Sequence, residues 1–207
     1  MKDIIIEGVD RLGKDSLIQG IQDELGFFQV VHYQKPNPLA IYYQQALQRI
    51  IADDPNAGMD LPGVDWDCNQ HALKRYQRES FTHMFRLLSQ PGRHIMNRAH
   101  LGECVYAPRY RGYGGDYVFD LERTFTNDCG SMFTETTLLV LLTTSDFSFI
   151  KDDGLSFDFG KKEEEQEDFK RAFVKSTIKK KLMIDVSHGG AYRKKEDILA
   201  AVIAAYR

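Results

Sequence analysis

The residues with the most evident chemistry lie near the start of the chain. Gly8-Val-Asp-Arg-Leu-Gly13-Lys14 reads glycine, four residues, glycine, lysine, which matches all but the last position of the phosphate-loop pattern GxxxxGK[ST]. Glycines there let backbone N–H groups turn inward around phosphate oxygens. A following helix N-terminus adds positive partial charge, and the lysine bridges the β- and γ-phosphates of a nucleoside triphosphate. Gly8, Val9, Asp10, Leu12, Gly13, Asp15 and Ser16 are therefore candidate phosphate-binding residues, and Lys14 a candidate catalytic one. The pattern departs at its last position, where Asp15 stands in place of Ser or Thr and Ser16 follows. Asp15 can face a magnesium ion or cap the helix, and Ser16 can hold the metal instead; the sequence leaves these open. The plain alternative is a glycine-rich strand–helix turn that binds no nucleotide.

Such a loop needs a strand before it and a helix after it. Ile4–Ile6 is a β-branched run bounded by Gly8, and Leu17, Ile21 and Leu25 give Ser16–Leu25 a helical spacing that Gly26 stops. Further strands are expected at Phe27–Tyr33, His94–Asn97, Thr137–Thr143 and Lys181–Val186. Helices are expected at Leu39–Ala52, Cys68–Gln90, Asp116–Phe125, Lys161–Ser176 and Glu196–Tyr206. Asp53–Asp67 reads as a long loop, Arg98–Gly115 as a site loop rich in Gly, Tyr and Arg, and Ser145–Gly160 as irregular. The acidic run Glu163–Asp168 reads as a solvated helix face. Five strands alternating with helices predict an α/β fold: a five-stranded parallel sheet with helices on both faces, in one domain spanning 1–207.

Composition narrows the class. The 207 residues are 43% hydrophobic and 28% charged, with 27 basic against 30 acidic side chains. That balance argues against a nucleic-acid coat. The longest apolar run, Leu138–Leu142, is far below a membrane span of ~18 residues, and the N-terminus reads as that of a mature protein. Cys68, Cys104 and Cys129 fit neither a disulfide framework nor a CxxC metal site, and the histidines show no HxxxH spacing. A reducing cytoplasm is the expected setting.

Ile5-Ile-Glu-Gly-Val-Asp-Arg-Leu-Gly-Lys14 resembles the opening of the thymidylate kinases, one subset of which reads EGxDRxGK. Asn97-Arg98 follows a strand as that family's Asp-Arg pair does, Tyr106 falls nine residues beyond Asn97, and Ile184-Asp185-Val186 is similar to the family's Ile-Asp-Ala strand end. The chain also resembles compact deoxynucleotide kinases of some bacteriophages, several of which carry Gly-Lys-Asp. The departures are Asn97, which cannot serve as a general base, and Gly102-Glu103, which replaces a double serine.

The resemblance implies a P-loop kinase with a short lid at about 144–162. It would transfer the γ-phosphoryl of ATP, with Mg²⁺ as cofactor, to a deoxynucleoside monophosphate, dTMP foremost. It allows a homodimer and needs neither membrane nor nucleic acid. By the same resemblance, Asp10 contacts the acceptor sugar's 3′-hydroxyl, and Lys35, Arg78 and Tyr106 bind the acceptor. Arg98 is the phosphate-contacting residue after the third strand, where α/β sheets bind ligands. Arg11 takes the charge-stabilising role that many nucleotide kinases give to a lid arginine, because Thr144–Lys170 carries nine acids, four lysines and no arginine. His71, Arg75 and Arg78 share one helix face, with a solvated stripe as the plain alternative. Tyr106, Tyr110 and Tyr113, interleaved with Arg109 and Arg111, suit a base-stacking clamp better than a single-strand platform. Two rivals stand: a deoxynucleoside kinase with Glu7 as base, and a nucleotide-binding protein without turnover.

Overall fold

The computed structural model describes residues 1–33, 66–127, 130, 132–151 and 158–207, of 66–72 the backbone alone. The expected helix over 39–52, the loop from 53 to 65, Lys35, part of the expected lid (152–157), Cys129 and the side chains of Cys68 and His71 lie outside the described residues.

Five parallel strands form the sheet: β1 (Asp3–Glu7), β2 (Gln29–His32), β3 (His94–Asn97), β4 (Thr137–Thr143) and β5 (Lys180–Asp185), in the order β2-β3-β1-β4-β5. Ile5 of β1 pairs with Met96 of β3 on one side and Leu139 of β4 on the other. β1, β3 and β4 are buried along their whole length, as the continuous apolar run Leu138–Leu142 requires of a strand covered on both faces. The edges are short or charged: β2 has four residues, and β5 opens with Lys180 and Lys181, which discourages pairing with another sheet.

Helices surround the sheet. α1 (Lys14–Leu25) packs on α7 (Lys195–Tyr206), α2 (Trp66–Ser89) on α4 (Tyr117–Asn127), and α3 (Leu101–Tyr110) on α6 (Lys162–Lys175); α5 (Phe133–Thr136) leads into β4. Gly20 of α1 permits the first contact, since a Cβ there would lie 3.1 Å from Leu199. α1 begins at Lys14 rather than Ser16, and α2 at Trp66 rather than Cys68. No described helix is long and apolar enough to cross a membrane.

Two expectations need correction, and one element was not foreseen. Arg98–Gly115 is not a loop: it contains α3, despite Pro108 within the helix. Having no N–H, Pro108 leaves the Cys104 carbonyl without its i→i−4 hydrogen bond, and the helix ends two residues later. The acidic run is a solvated face only in part: Glu163, Glu164 and Glu167 are exposed, but Glu165 and Gln166 are buried, because the core-facing spacing of α6 continues through Phe169 and Phe173. Gln166 holds the exit of β4, accepting from Thr144 N at 2.6 Å and donating to Thr144 O at 2.9 Å. The unforeseen element is a hairpin of β6 (Ser187–His188) and β7 (Ala191–Tyr192) that follows β5. Its turn, Gly189-Gly190, has φ of 59° and 78°, and Gly-Gly between strand residues is a hairpin signal that could have announced it.

A buried carboxylate fixes the turn from α6 to β5. Glu122 of α4 accepts through Oε1 from Ser176 Oγ (2.7 Å), Thr177 N (3.0 Å) and Ile178 N (3.2 Å). Glu122→Ala would leave these donors without their acceptor and should lower unfolding free energy by about 3 kcal/mol or more. Glu122→Gln keeps an acceptor oxygen and should lose less than half of that. Urea midpoints compare the two, and equal losses would show that packing volume, not hydrogen bonding, holds the turn.

Candidate functional site

The phosphate loop leaves the buried strand β1 and enters α1. Gly8 has φ 130°, and a Cβ there would collide with the carbonyl oxygen of Leu142 on β4; only glycine passes at that point. Gly13, at φ 80°, is the N-cap of α1 and offers no side-chain cap. Lys14, 5% exposed, donates its ammonium to Gly8 O at 2.8 Å and Val9 O at 2.7 Å. Burial pulls its pKa down to about 8, against the attraction of Asp10, Glu7 and Asp15.

Asp15 does not cap the helix, because the cap position is Gly13. Its Oδ1 accepts from Asn97 Nδ2 at 2.8 Å, and Asn97 Nδ2 also lies 3.1 Å from His32 Nδ1. Asn97 Oδ1 is buried without a hydrogen-bond partner. The hydroxyl of exposed Ser16, the Asp15 carboxylate and this orphaned oxygen are hard oxygen donors, the kind magnesium takes. No group of three or more His, Cys, Asp or Glu side chains among the described residues builds a closed metal cage. The donors present fit an ion that completes its shell with water and phosphate.

Two clefts meet at this loop. The first has a volume of about 600 Å³ and includes Glu7, Asp10, Gln77, Phe81, Arg98 and Tyr106 in its lining, a size ordinary for a small-molecule site. The second runs along the outer side of the loop past Arg11, Gly13, Ser16, Tyr192, Arg193 and Lys194. Asp10 and Arg98 line both, and they pair with each other at 3.1 Å. Arg11 and Arg98 both hold left-handed backbone, at φ 73° and 60°. Tyr192 donates its hydroxyl to the Arg11 carbonyl and stands edge-on to Phe149, ring centres 4.5 Å apart.

Glu7 ends β1 at the floor of the first cleft. Its Oε1 accepts from Leu101 N at 2.8 Å, and complete burial pushes its pKa up to about 7. Tyr106 lines the same cleft, and burial raises its pKa well above the usual value. Arg78 is exposed and does not line the cleft; the neighbouring Gln77, buried on the same helix, does. Arg75 pairs with Glu79 in full exposure, as a solvated stripe would. Arg109 is not a clamp residue. It ties α3 to α6, through Asp168 (2.6 Å) and Glu164 (2.9 Å), while Tyr110 donates to Glu165 Oε1 at 2.7 Å. The arginines between the tyrosines are neutralised by their own chain, so no basic stripe for nucleic acid arises.

Residues that sequence reasoning missed also line the first cleft. Lys162, buried at the start of α6, faces it together with Glu165, where the surrounding charge run hid it. Gln77 carried no signal beyond its helical position. Arg111 is bonded to Glu103, whose other oxygen accepts from Tyr117 at 2.8 Å.

With this geometry in view, comparison with known proteins defines the class of fold. No family model and no curated sequence matches the chain. Among solved structures, the YorR protein of Bacillus subtilis, determined in complex with phosphorylated GDP, matches with a TM-score of 0.57 and 14% identity, covering 98% of this chain and 94% of that one. Thymidylate kinase from Candida albicans matches with a TM-score of 0.51 and 13% identity, covering 98% and 89%. The chain thus has the fold of the P-loop nucleotide kinases, with five parallel strands wrapped by helices.

The state of Lys14 predicts a pH dependence for polyphosphate binding. A bound anion favours the protonated amine, so affinity is full below about 8 and declines as pH rises above it. Calorimetric titration with tripolyphosphate from pH 7 to 9.5 should show a fall approaching tenfold per unit at the alkaline end. In Lys14→Met the weaker binding that remains should be flat. An unchanged wild-type affinity would remove Lys14 from the anion site.

Proposed function

We propose that this chain is a nucleoside monophosphate kinase that transfers the γ-phosphoryl of ATP to a deoxynucleoside monophosphate, dTMP among them, in the cytoplasm. The observation that carries the reading is the meeting of two clefts at Asp10, Arg98 and the phosphate loop. A donor in one and an acceptor in the other would present their phosphates to each other across that junction.

In this reading the loop amides and Lys14 hold the β- and γ-phosphates, and Lys14 exchanges its two carbonyl partners for phosphate oxygens. Arg11 folds over the transferred group, and Arg98 holds the acceptor phosphate while its pairing with Asp10 orients that carboxylate toward the sugar hydroxyl. Tyr106 closes the acceptor side, and Lys35 would add a cation there. Lys162, at the end of the lid segment 144–162, brings a further positive charge to the cleft. Asp15, Ser16 and Asn97 would hold Mg²⁺, which would supply positive charge to neutralise the phosphate oxygens. The acceptor phosphate is already ionised, so no protein base is needed. Catalysis is positioning plus charge stabilisation.

A second reading has its own observation. Glu7, with a pKa near neutrality at the floor of the first cleft, suits a base that takes a proton from a nucleoside 5′-hydroxyl. An ADP-release assay with the four deoxynucleoside monophosphates and the four matching nucleosides separates the two. Turnover of monophosphates alone is expected; use of thymidine without thymidylate would sink the first reading.

Arg11→Ala should lower kcat by about 10³ while changing ATP affinity little, the mark of an interaction made in the transition state. Lys161→Ala should change kcat little, since Lys161 pairs in solvent with Asp158. A larger loss from Lys161 than from Arg11 would move the charge-stabilising role to the lid. Lys14→Met should abolish turnover with the fold intact by circular dichroism.

A further inference from the structure

Resting on that reading, the hairpin after β5 bears on how Arg11 is aimed. Val9 and Leu12 anchor the phosphate loop through side chains buried in the core. Asp10 and Arg11, between them, line the second cleft. Arg11 holds φ 73°, a conformation that a side chain disfavours. Such a turn persists only where its surroundings hold it.

The hairpin is part of those surroundings. The Tyr192 hydroxyl donates to the Arg11 carbonyl. A peptide unit is planar and trans, so a held carbonyl also fixes the N–H of Leu12, which points the opposite way. Fixing that peptide plane sets the path of the chain past Arg11, and with it the direction in which the side chain leaves the loop.

Tyr192 is itself held twice. Its ring stands edge-on to Phe149, with an interplanar angle of 69°, and Phe149 packs against the core. Its backbone belongs to β7, where it pairs with Ser187 of β6, and polar contacts close the base of the hairpin. Asp185 Oδ1 accepts from Ser187 N at 2.8 Å, Ser187 Oγ lies 2.9 Å from Ser145 Oγ, and Arg193 N donates to Val186 O at 2.8 Å. Ser145 and Phe149 both follow β4, so the phenol joins the phosphate loop, the hairpin and the chain leaving β4. Phenylalanine at this position would keep the ring against Phe149 and lose only the O–H that reaches the loop.

We propose that Tyr192 is a positioning residue for Arg11: through the Arg11 carbonyl, the β6–β7 hairpin holds the phosphate loop in the left-handed turn that aims the guanidinium at the transferred group.

Tyr192→Phe in the full chain tests this. Amide hydrogen exchange, followed by mass spectrometry without nucleotide, should rise about fivefold over residues 9–13 and stay unchanged in β1 and β4. In the ADP-release assay kcat should fall about tenfold, with KM for ATP within about twofold of the wild-type value. The same substitution in an Arg11→Ala background should lower kcat by no more than about twofold further, because a residue that acts only through Arg11 has nothing left to position. A further loss of about tenfold in that background is what general loosening produces. A raised KM for ATP with kcat unchanged is what direct contact with the donor produces. Either result, or unchanged exchange in the loop, would overturn the proposal. Exchange is read without turnover and so stands apart from the kinase reading. A wild-type protein that phosphorylates no acceptor defeats that reading, while faster loop exchange in Tyr192→Phe still supports the hold on Arg11 and unchanged exchange still overturns it.

Discussion

The site depends on a buried amine to which no carboxylate is bonded among the described residues. Lys14 is held by two carbonyls of its own loop. Burying a cation this way is unfavourable unless its donors are satisfied, and here the loop satisfies two of the three by folding back on itself. The loop therefore keeps its curved shape before any phosphate arrives, and the ammonium is already positioned. That shape needs Gly8 to pass the Leu142 carbonyl without a side chain, and Leu142 is held there by the pairing of β1 with β4. The central strands, the loop and the amine form one chain of dependence.

Much of this was legible in the residues, for physical reasons. β4 falls where the hydrophobic run Leu138–Leu142 puts it, because strands covered on both faces leave little room for polar residues. The tight turn from β1 into α1 was legible in its glycines, because at Gly8 only a residue without a Cβ passes Leu142. The stretch after Arg98 was not. Its glycines, tyrosines and arginines look like a loop in composition, yet those in α3 are spent on helix–helix contacts that exist only once α6 is in place. The buried face of α6 was hidden for the same reason. Glu165 and Gln166 read as solvated until their partners, Tyr110 and the Thr144 backbone, are brought alongside.

Two departures that look unrelated along the chain turn out to be one contact. Asp15 stands where the phosphate-loop pattern has a hydroxyl, and Asn97, at the end of β3, where the thymidylate-kinase pattern that the chain resembles has a carboxylate. In space Asn97 donates to Asp15. One acid and one hydrogen-bond donor face each other at this spot, with the acid on the helix and the donor on the strand. The exchange keeps a single negative charge there, and two carboxylates at that distance would repel.

Arg11 and Arg98 stand in left-handed backbone that ordinary side chains avoid. Each is a small reservoir of strain placed in the lining of the clefts, and glycine would relieve it at either position. Thermal robustness and possession of these two guanidinium groups thus pull in opposite directions. A library of variants sorted only by resistance to heat would drift toward glycine at both, and would arrive at a sturdier protein whose loop has lost both cations.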